Sequence, residues 1–223
     1  MKKTCIATIK QSYMLYQNQN NSNMIQEFVK KIVSLDNVHQ WAERDSVIKE
    51  TVSQHSFKVA SFAIFILDRL ENENCNIIGK GNQDWIEFRK NCVEYAVLHD
   101  FDEAILGRDI SHVVKYNKHN GDKIRKEIDD YVNYEIERLG LNLIKDEINP
   151  NVKTFVKFCD WLAMMSFIHR NKAMGVRTFS NERMYCQDKA TESSTVVQSM
   201  LHNVFHLESF KCLVEILNDY IYE

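Results

Sequence analysis

An adjacent histidine and aspartate, His99 and Asp100, stand at the end of an apolar run that begins near Val93. Two further acids, Glu103 and Asp109, follow within about three helical turns. Neutral imidazole and carboxylate oxygen are ligands that divalent metals accept. An acid beside such a cation can hold or deprotonate an attacking water. The stretch therefore predicts metal-assisted hydrolysis, provided that other ligands converge on it.

Two other predicted helices carry such a residue on their buried face. His55 lies at helical spacing from the apolar residues between Val52 and Leu70, so it shares their face of a predicted helix. Asp160 shares the apolar face of another predicted helix, which Pro150 begins. A lone buried histidine is more often a core residue than a ligand, and a buried acid can be paired with an arginine or lysine. Three helices that each bury such a residue favour a shared site of two histidines and two carboxylates, open to water and substrate.

The composition predicts an all-α protein. The chain has 223 residues with one proline and six glycines, which is few for turn-rich β structure. A net charge of −3 argues against a dedicated nucleic-acid binder. The six cysteines are scattered, as expected for free thiols in a reducing cytoplasm. No apolar run reaches the ~20 residues of a membrane span, so we expect a soluble, cytoplasmic protein.

The chain is expected to form one helical domain behind a flexible arm. Residues 1–23 are rich in Gln and Asn and form the predicted arm, and residues 24–223 form the domain, with its motifs in 36–170. Residues 170–195 are polar and lack periodicity, which predicts a loop that is either a functional lid or disordered. A last helix is predicted over 196–221, in the core or at a subunit interface.

Three segments of the chain have sequence motifs that resemble those of a known family. They read VSQHSFKVA, AVLHDFDEAILGRDISHVVKY and KFCDWLAM. In this order, H…HD…D, they resemble the HD-domain phosphohydrolases, in the branch of the 5′-deoxynucleotidases. The resemblance implies an all-α HD-domain bundle around a divalent metal ion, which is Co, Mn, Fe, Zn or Mg. The metal ligands that it implies are His55, His99, Asp100 and Asp160.

The resemblance also implies roles for residues around the metal. Glu103 matches the acid that acts on or orients the attacking water, and Asp109 matches a second catalytic or substrate-orienting acid. Trp41 matches the residue that packs against the sugar and favours its 2′-deoxy form. Lys115 falls on the Val-Lys position of the motif, where phosphate contact is expected.

Two positions depart from the family pattern. The family has an arginine implicated in phosphate binding just before the tryptophan, where this chain has Gln40. The family also reads Gly-Asp after the HD segment, whereas this chain has Arg108 between Gly107 and Asp109. A guanidinium can grip phosphate oxygens in a bidentate manner, so Arg108 is a candidate for the missing cation.

These departures leave the number of phosphates on the substrate open. The preferred interpretation is a 5′-deoxynucleotidase, which converts a dNMP and water to a deoxynucleoside and Pi. One alternative is a dNTP triphosphohydrolase of the same fold, and another is a non-catalytic HD module that binds a nucleotide as a sensor. The expected partner is a small nucleotide, with no stable nucleic acid and no membrane. A homodimer is compatible with the C-terminal helix but is not required by it.

Overall fold

The described part of the chain is predominantly α-helical, which confirms the predicted all-α class. One two-stranded antiparallel sheet accompanies the helices, in which β1 (His39–Gln40) pairs with β2 (Glu50–Thr51). His39 lies opposite Thr51, and Gln40 lies opposite Glu50. The computed structural model describes residues 23–40, 46–74, 82–109, 121–141, 148–176 and 179–207.

The helices follow one another with bounds close to those that periodicity predicts up to residue 173. The first predicted helix, with Met24, Phe28 and Ile32 at helical spacing, is helix α1. The helices are α1 (residues 23–34), α2 (Val52–Glu73), α3 (Gln83–Leu98), α4 (Phe101–Leu106), α5 (Gly121–Arg138), α6 (Pro150–Ala173) and α7 (Ser180–Phe205).

Local capping fixes where the two longest site-bearing helices begin. At the start of α2, the Thr51 side chain accepts the backbone N–H of Gln54, and the Gln54 side chain accepts the N–H of Thr51. This reciprocal pair is a capping box, which satisfies two N–H groups that the helix leaves without partners. Helix α6 begins at Pro150, as the sequence predicts, and Asn149 is its cap.

Helix α3 begins after Asn82, and this residue, rather than Asp84, is its cap. The Asn82 side chain accepts the N–H of Trp85 at 3.2 Å. Asp84 lies inside the first turn instead, where its charge still suits the positive end of the helix dipole. Both residues are good caps by type, and the contact with Trp85 decides between them.

A large apolar cluster joins four of the helices. Helix α6 packs against α7, α2 and α3, and α2 also packs against α3. Aromatic edges interlock inside it, with the Trp85 ring perpendicular to that of Phe205 at 5.2 Å between centroids. We call this set the larger cluster; its largest fully buried side chains are Ile66, Leu67, Leu70, Trp85, Phe155, Phe158, Leu162, Met165, Phe167, Ile168 and Leu201.

A second, smaller cluster lies around helix α4. It draws residues from the segment just after α1, the first residue of α2, the buried side of α4, and the last turns of α5 with the residue that follows them. Phe101 is its buried aromatic residue, and the ring of Phe28 packs on it at 5.7 Å. We call this set the smaller cluster; it contains Leu35, Val38, Val52, Phe101, Ala104, Ile105, Val132, Ile136 and Leu139.

The loop predicted over residues 170–195 is wrong, because the ends of α6 and α7 occupy most of it. The buried positions of α7 in this stretch are Cys186, Ala190 and Ser194, which are four residues apart. These residues are small or polar, so an apolar pattern judged on large side chains does not detect them. The helix predicted over 196–221 is, as far as residue 205, the second half of α7.

Some predictions fall outside the described residues. Residues 208–221 and nearly all of the predicted arm are among them, as are Trp41 and Lys115. Within the described ranges, none of the helices combines the length and the apolar character needed to span a bilayer. The described cysteines are buried free thiols, as predicted, and they are Cys92, Cys159 and Cys186.

Candidate metal centre

Three residues from two parts of the chain converge in the core. His55, His99 and Asp100 each offer one ligand atom, and these atoms all lie within 4.8 Å of one another. The Nε2 atom of His99 is 3.1 Å from Oδ2 of Asp100, and Nε2 of His55 is 4.0 Å from the same oxygen. Helix α2 supplies the first histidine, and the two residues between α3 and α4 supply the other two side chains.

Asp160 reaches the same place from helix α6. Its Oδ1 atom lies 2.9 Å from Nε2 of His55. The side chain is 9% exposed, and it shares its face of α6 with the buried Val156 and Ala163. The structure therefore brings together all four of the residues that the sequence proposes as metal ligands.

The break between α3 and α4 allows two adjacent residues to point at one centre. Neighbours in a regular helix diverge by about 100° around its axis, so they cannot share a target. Helix α3 ends at Leu98, and Asp100 has φ −105° and ψ 24° before α4 begins. An aspartate at this position ordinarily caps the next helix. Here its side chain makes no cap hydrogen bond and faces the histidines instead.

The outer nitrogens of both histidines are held by acceptors, which directs Nε2 into the site. Nδ1 of His99 lies 2.9 Å from the carbonyl oxygen of Ala96, which can only accept, so Nδ1 carries the proton. Nδ1 of His55 lies 3.4 Å from a carboxylate oxygen of Glu50, which Lys58 contacts in turn. This arrangement of carboxylate or carbonyl behind imidazole is typical of histidines that bind metals.

The donor set fits a divalent cation. The Nε2 atom of His99 is buried, and it makes no hydrogen bond of good geometry with any described residue, although Oδ2 of Asp100 is 3.1 Å away. Ligand atoms that bind one ion at about 2.0–2.2 Å lie at most about 4.4 Å apart, so small side-chain movements would enclose an ion. Two imidazole nitrogens and two carboxylates suit a borderline transition metal better than calcium, which prefers oxygen.

The site balances negative carboxylates against positive imidazoles. Burial opposes the charged form of His55, but hydrogen bonds with Asp160 and Glu50 outweigh it and raise its pKa to about 10. Burial also opposes ionisation of Asp100, and the charge of His99 overcomes this and keeps the pKa of Asp100 well below its ordinary value. A divalent cation would take the place of the proton on each Nε2 atom and would neutralise the same carboxylates.

Two further residues near the four converging side chains are a buried acid, Glu103, and a neutral amide, Gln40. Glu103 is 2% exposed and lies one turn after Asp100, whose carbonyl accepts its backbone N–H at 3.0 Å. The Gln40 side chain donates to Oδ2 of Asp100 at 3.2 Å. Position 40 therefore orients a proposed ligand, and it adds no positive charge to the site.

Two other predicted site residues, Arg108 and Asp109, follow the end of α4. Gly107 ends this helix with a φ of +68°, a conformation that suits glycine. Arg108 then follows as an exposed residue, and Asp109 is half-buried.

A comparison with protein families shows to which family the chain belongs. The family model described as 5′-deoxynucleotidase YfbR-like matches residues 27–206. The chain belongs to the YfbR-like 5′-deoxynucleotidase family. The matched range contains the four converging residues as well as Glu103, and it confirms the resemblance found in the sequence. No curated protein sequence matches the chain significantly.

Two residues of this YfbR-like chain contact the site without having been singled out from the sequence. Glu50 is 2% exposed and lies behind His55. It precedes helix α2, so no helical spacing relates it to the histidine. Lys157 contacts Asp160, and these two residues are three apart on α6, a spacing at which side chains of a helix meet. That spacing was the available signal for Lys157.

Proposed function

We propose that this chain is a metal-dependent phosphohydrolase that removes the 5′-phosphate of deoxynucleoside monophosphates. The observation that carries the proposal is the convergence of two histidines and two aspartates from three places in the fold, in a member of the YfbR-like family. The products are a deoxynucleoside and inorganic phosphate. The proposed ligands are His55, His99, Asp100 and Asp160.

The proposed metal ligands would hold the cation that the reaction requires. A divalent cation held by them supplies Lewis-acid chemistry, because it neutralises phosphate charge and lowers the pKa of water. Mn, Co, Fe and Zn suit this donor set, and Mg is an acceptable activating ion. Glu50 and the Ala96 carbonyl keep the two imidazoles oriented, which preserves their Nε2 atoms for binding.

Glu103 is proposed to act on the attacking water. Its position one turn after Asp100 puts it on the same side of the chain as that residue. The carboxylate takes a proton from the water as the water oxygen bonds to phosphorus and the bond to the 5′ oxygen breaks. The leaving 5′ oxygen takes up a proton from solvent to give the deoxynucleoside, and Glu103 returns its own proton to solvent. Asp109 is proposed to orient the substrate or to assist this transfer.

Substrate contacts are proposed for four further residues. Trp41 would pack against the 2′-deoxyribose, and Lys115 would contact the phosphate. Arg108 is exposed after the turn at Gly107, so its guanidinium has access to an incoming phosphate. Gln40 would act indirectly through its hydrogen bond to Asp100.

The cellular setting follows from the same proposal. Buried free thiols at Cys92, Cys159 and Cys186 support the reducing cytoplasm as the location. A small nucleotide is the proposed partner. A second copy of the chain is a further proposed partner, which light scattering of the purified protein tests.

The deciding experiment measures phosphate release from a panel of dNMPs, NMPs and dNTPs with Mn, Co or Mg. We expect Pi from dNMPs and little from NMPs, with activity lost in Asp100→Ala. Release of triphosphate from dNTPs alone would instead identify a triphosphohydrolase. Binding of nucleotide without any turnover, in protein that retains its metal, would identify a sensor module.

A further inference from the structure

A lysine lies one side chain away from the metal centre. Nζ of Lys157 donates to Oδ2 of Asp160 at 2.5 Å, while Oδ1 of the same carboxylate contacts His55. One carboxylate therefore has its two oxygens on different partners. The ammonium stands just outside the group of atoms that would bind the cation.

A second contact holds the lysine in this place. Its Nζ lies 4.6 Å from the centre of the Trp161 ring, within the range of a cation–π interaction. Trp161 is 9% exposed, and the ring of Tyr185 on α7 meets it edge-on at 5.8 Å. Because an ordered indole and a buried carboxylate both hold the ammonium, less conformational freedom is lost when it binds a further group.

Lys157 nevertheless remains accessible from solvent. Its side chain is 55% exposed, whereas the Asp160 side chain that it contacts is 9% exposed. The lysine therefore connects the solvent to the buried site. A charged substrate group that approaches Asp160 from outside would meet this ammonium.

The negative charge around the centre explains why a lysine there would help to bind phosphate. Asp100, Asp160, Glu103 and Glu50 are acidic, and they repel a phosphate dianion. Among the described lysines and arginines, Lys58 contacts Glu50, on the Nδ1 side of His55. The described cation in contact with one of the four converging residues is Lys157.

We propose that Lys157 is a phosphate-binding residue whose ammonium bridges Asp160 and a non-bridging oxygen of the substrate phosphate. This inference rests on the proposed function, since it names the group that receives the phosphate. Ammonium and phosphate form charge-assisted hydrogen bonds, which are stronger than neutral ones. Asp160 keeps the ammonium in position before the substrate arrives.

The competing explanation is that Lys157 only positions Asp160. The two explanations differ in what the lysine's removal should weaken. A positioning role predicts weaker metal binding, because Asp160 would lose its anchor. A phosphate-binding role predicts weaker binding of phosphate to protein that is already loaded with metal.

The test uses calorimetry on wild type, Lys157→Gln, Lys157→Arg and Lys153→Gln. The last variant is the matched control, because Lys153 lies one turn earlier on α6 and its loss changes the net charge equally. Mn²⁺ is titrated first, and inorganic phosphate is titrated into the Mn²⁺-loaded protein. Circular dichroism of each variant checks that it is folded.

We expect Lys157→Gln to bind Mn²⁺ within about twofold of wild type and to bind phosphate about tenfold or more weakly. Lys157→Arg should recover most of the phosphate affinity, and Lys153→Gln should match wild type. The KM for a dNMP should rise in parallel, with a smaller change in kcat. These results together would support the proposal.

Either of two results would overturn it. One is unchanged phosphate affinity in folded Lys157→Gln. The other is a loss of Mn²⁺ affinity that accounts for the whole loss of phosphate binding. If wild type binds phosphate through Lys157 but releases none from any dNMP, the proposed substrate is wrong while the role of Lys157 stands.

Discussion

The two apolar clusters differ in size and in what they hold. The larger cluster joins α2, α3, α6 and α7 through many buried aromatic rings, whereas the smaller cluster has one buried aromatic, Phe101. The proposed metal ligands lie at the boundary between them. His55 stands between Val52 of the smaller cluster and Val59 of the larger, and Asp100 directly precedes Phe101.

This difference suggests a division of labour. The larger cluster encloses the helix that carries Asp160, so we expect it to supply most of the stability and to keep that ligand fixed. Glu103 is a buried residue of α4 that lies in sequence between two members of the smaller cluster, Phe101 and Ala104, so we expect this cluster to control where the proposed base lies. Each of the following changes tests one side of this division.

The largest effect is expected from removing a ligand on either side of the boundary. Asp100→Ala and Asp160→Ala should each lower kcat/KM by more than about 100-fold, the upper range for changes in residues behind the ligands. Both should also lose bound metal, measured by elemental analysis of the purified protein. Stoichiometric metal in one variant would show that this aspartate is not a ligand. The metal would then be held from the other side of the boundary between the clusters.

Glu103→Gln is expected to separate catalysis from metal binding. The amide keeps the size of the carboxylate but cannot accept a proton, so kcat should fall by about 10²–10⁴-fold. Metal content should stay at the wild-type level, because the proposed ligands are unchanged. Near-normal kcat would contradict the assignment of the base to the smaller cluster.

Two core substitutions test the two clusters separately. Phe158→Ala, in the larger cluster, should lower the free energy of unfolding by about 3–5 kcal/mol, since it leaves a cavity. Ile136→Val, in the smaller cluster, should cost about 0.5–1.5 kcal/mol. Urea denaturation measures both. We also expect Ile136→Val to reduce kcat while the protein stays fully folded, and unchanged kcat would argue against the division of labour.

The last expected effect concerns pH in protein from which a chelator has removed metal. His55 has its pKa raised from 6.5 to about 10, so its protonated form stabilises the folded state fully below about pH 6.5. This contribution is lost as the pH rises toward 10. The free energy of unfolding should therefore fall between these values, and less so in His55→Asn. Equal slopes in the two proteins would remove His55 as the cause.

The sequence predicted the burial of His55 and Asp160 because both follow the spacing of apolar neighbours on long helices. It did not predict the contact of Gln40 with Asp100, since 60 residues separate them and only the β1–β2 pairing and the helix packing bring them together. Glu50 was missed for a similar reason. It lies on a two-residue strand, where no periodicity can be read.

Helix α7 shows the opposite limit of sequence patterns. Its first half buries Cys186, Ala190 and Ser194, which allow α7 to lie close against α6 but carry little apolar signal. Its second half buries Val197 and Leu201, and there the helix was predicted correctly. Small residues can thus mark a close helix contact and still look like loop composition.

The two-residue break between α3 and α4 makes this part of the chain sensitive to length as well as to residue type. Inserting or deleting one residue there would turn all of α4 by about 100° relative to α3. Glu103 would then leave the side of Asp100, and Phe101 would leave its cluster. Insertions and deletions should therefore be tolerated far less in this short tract than substitutions at its exposed positions, and a deep scan of length variants would find it as a gap.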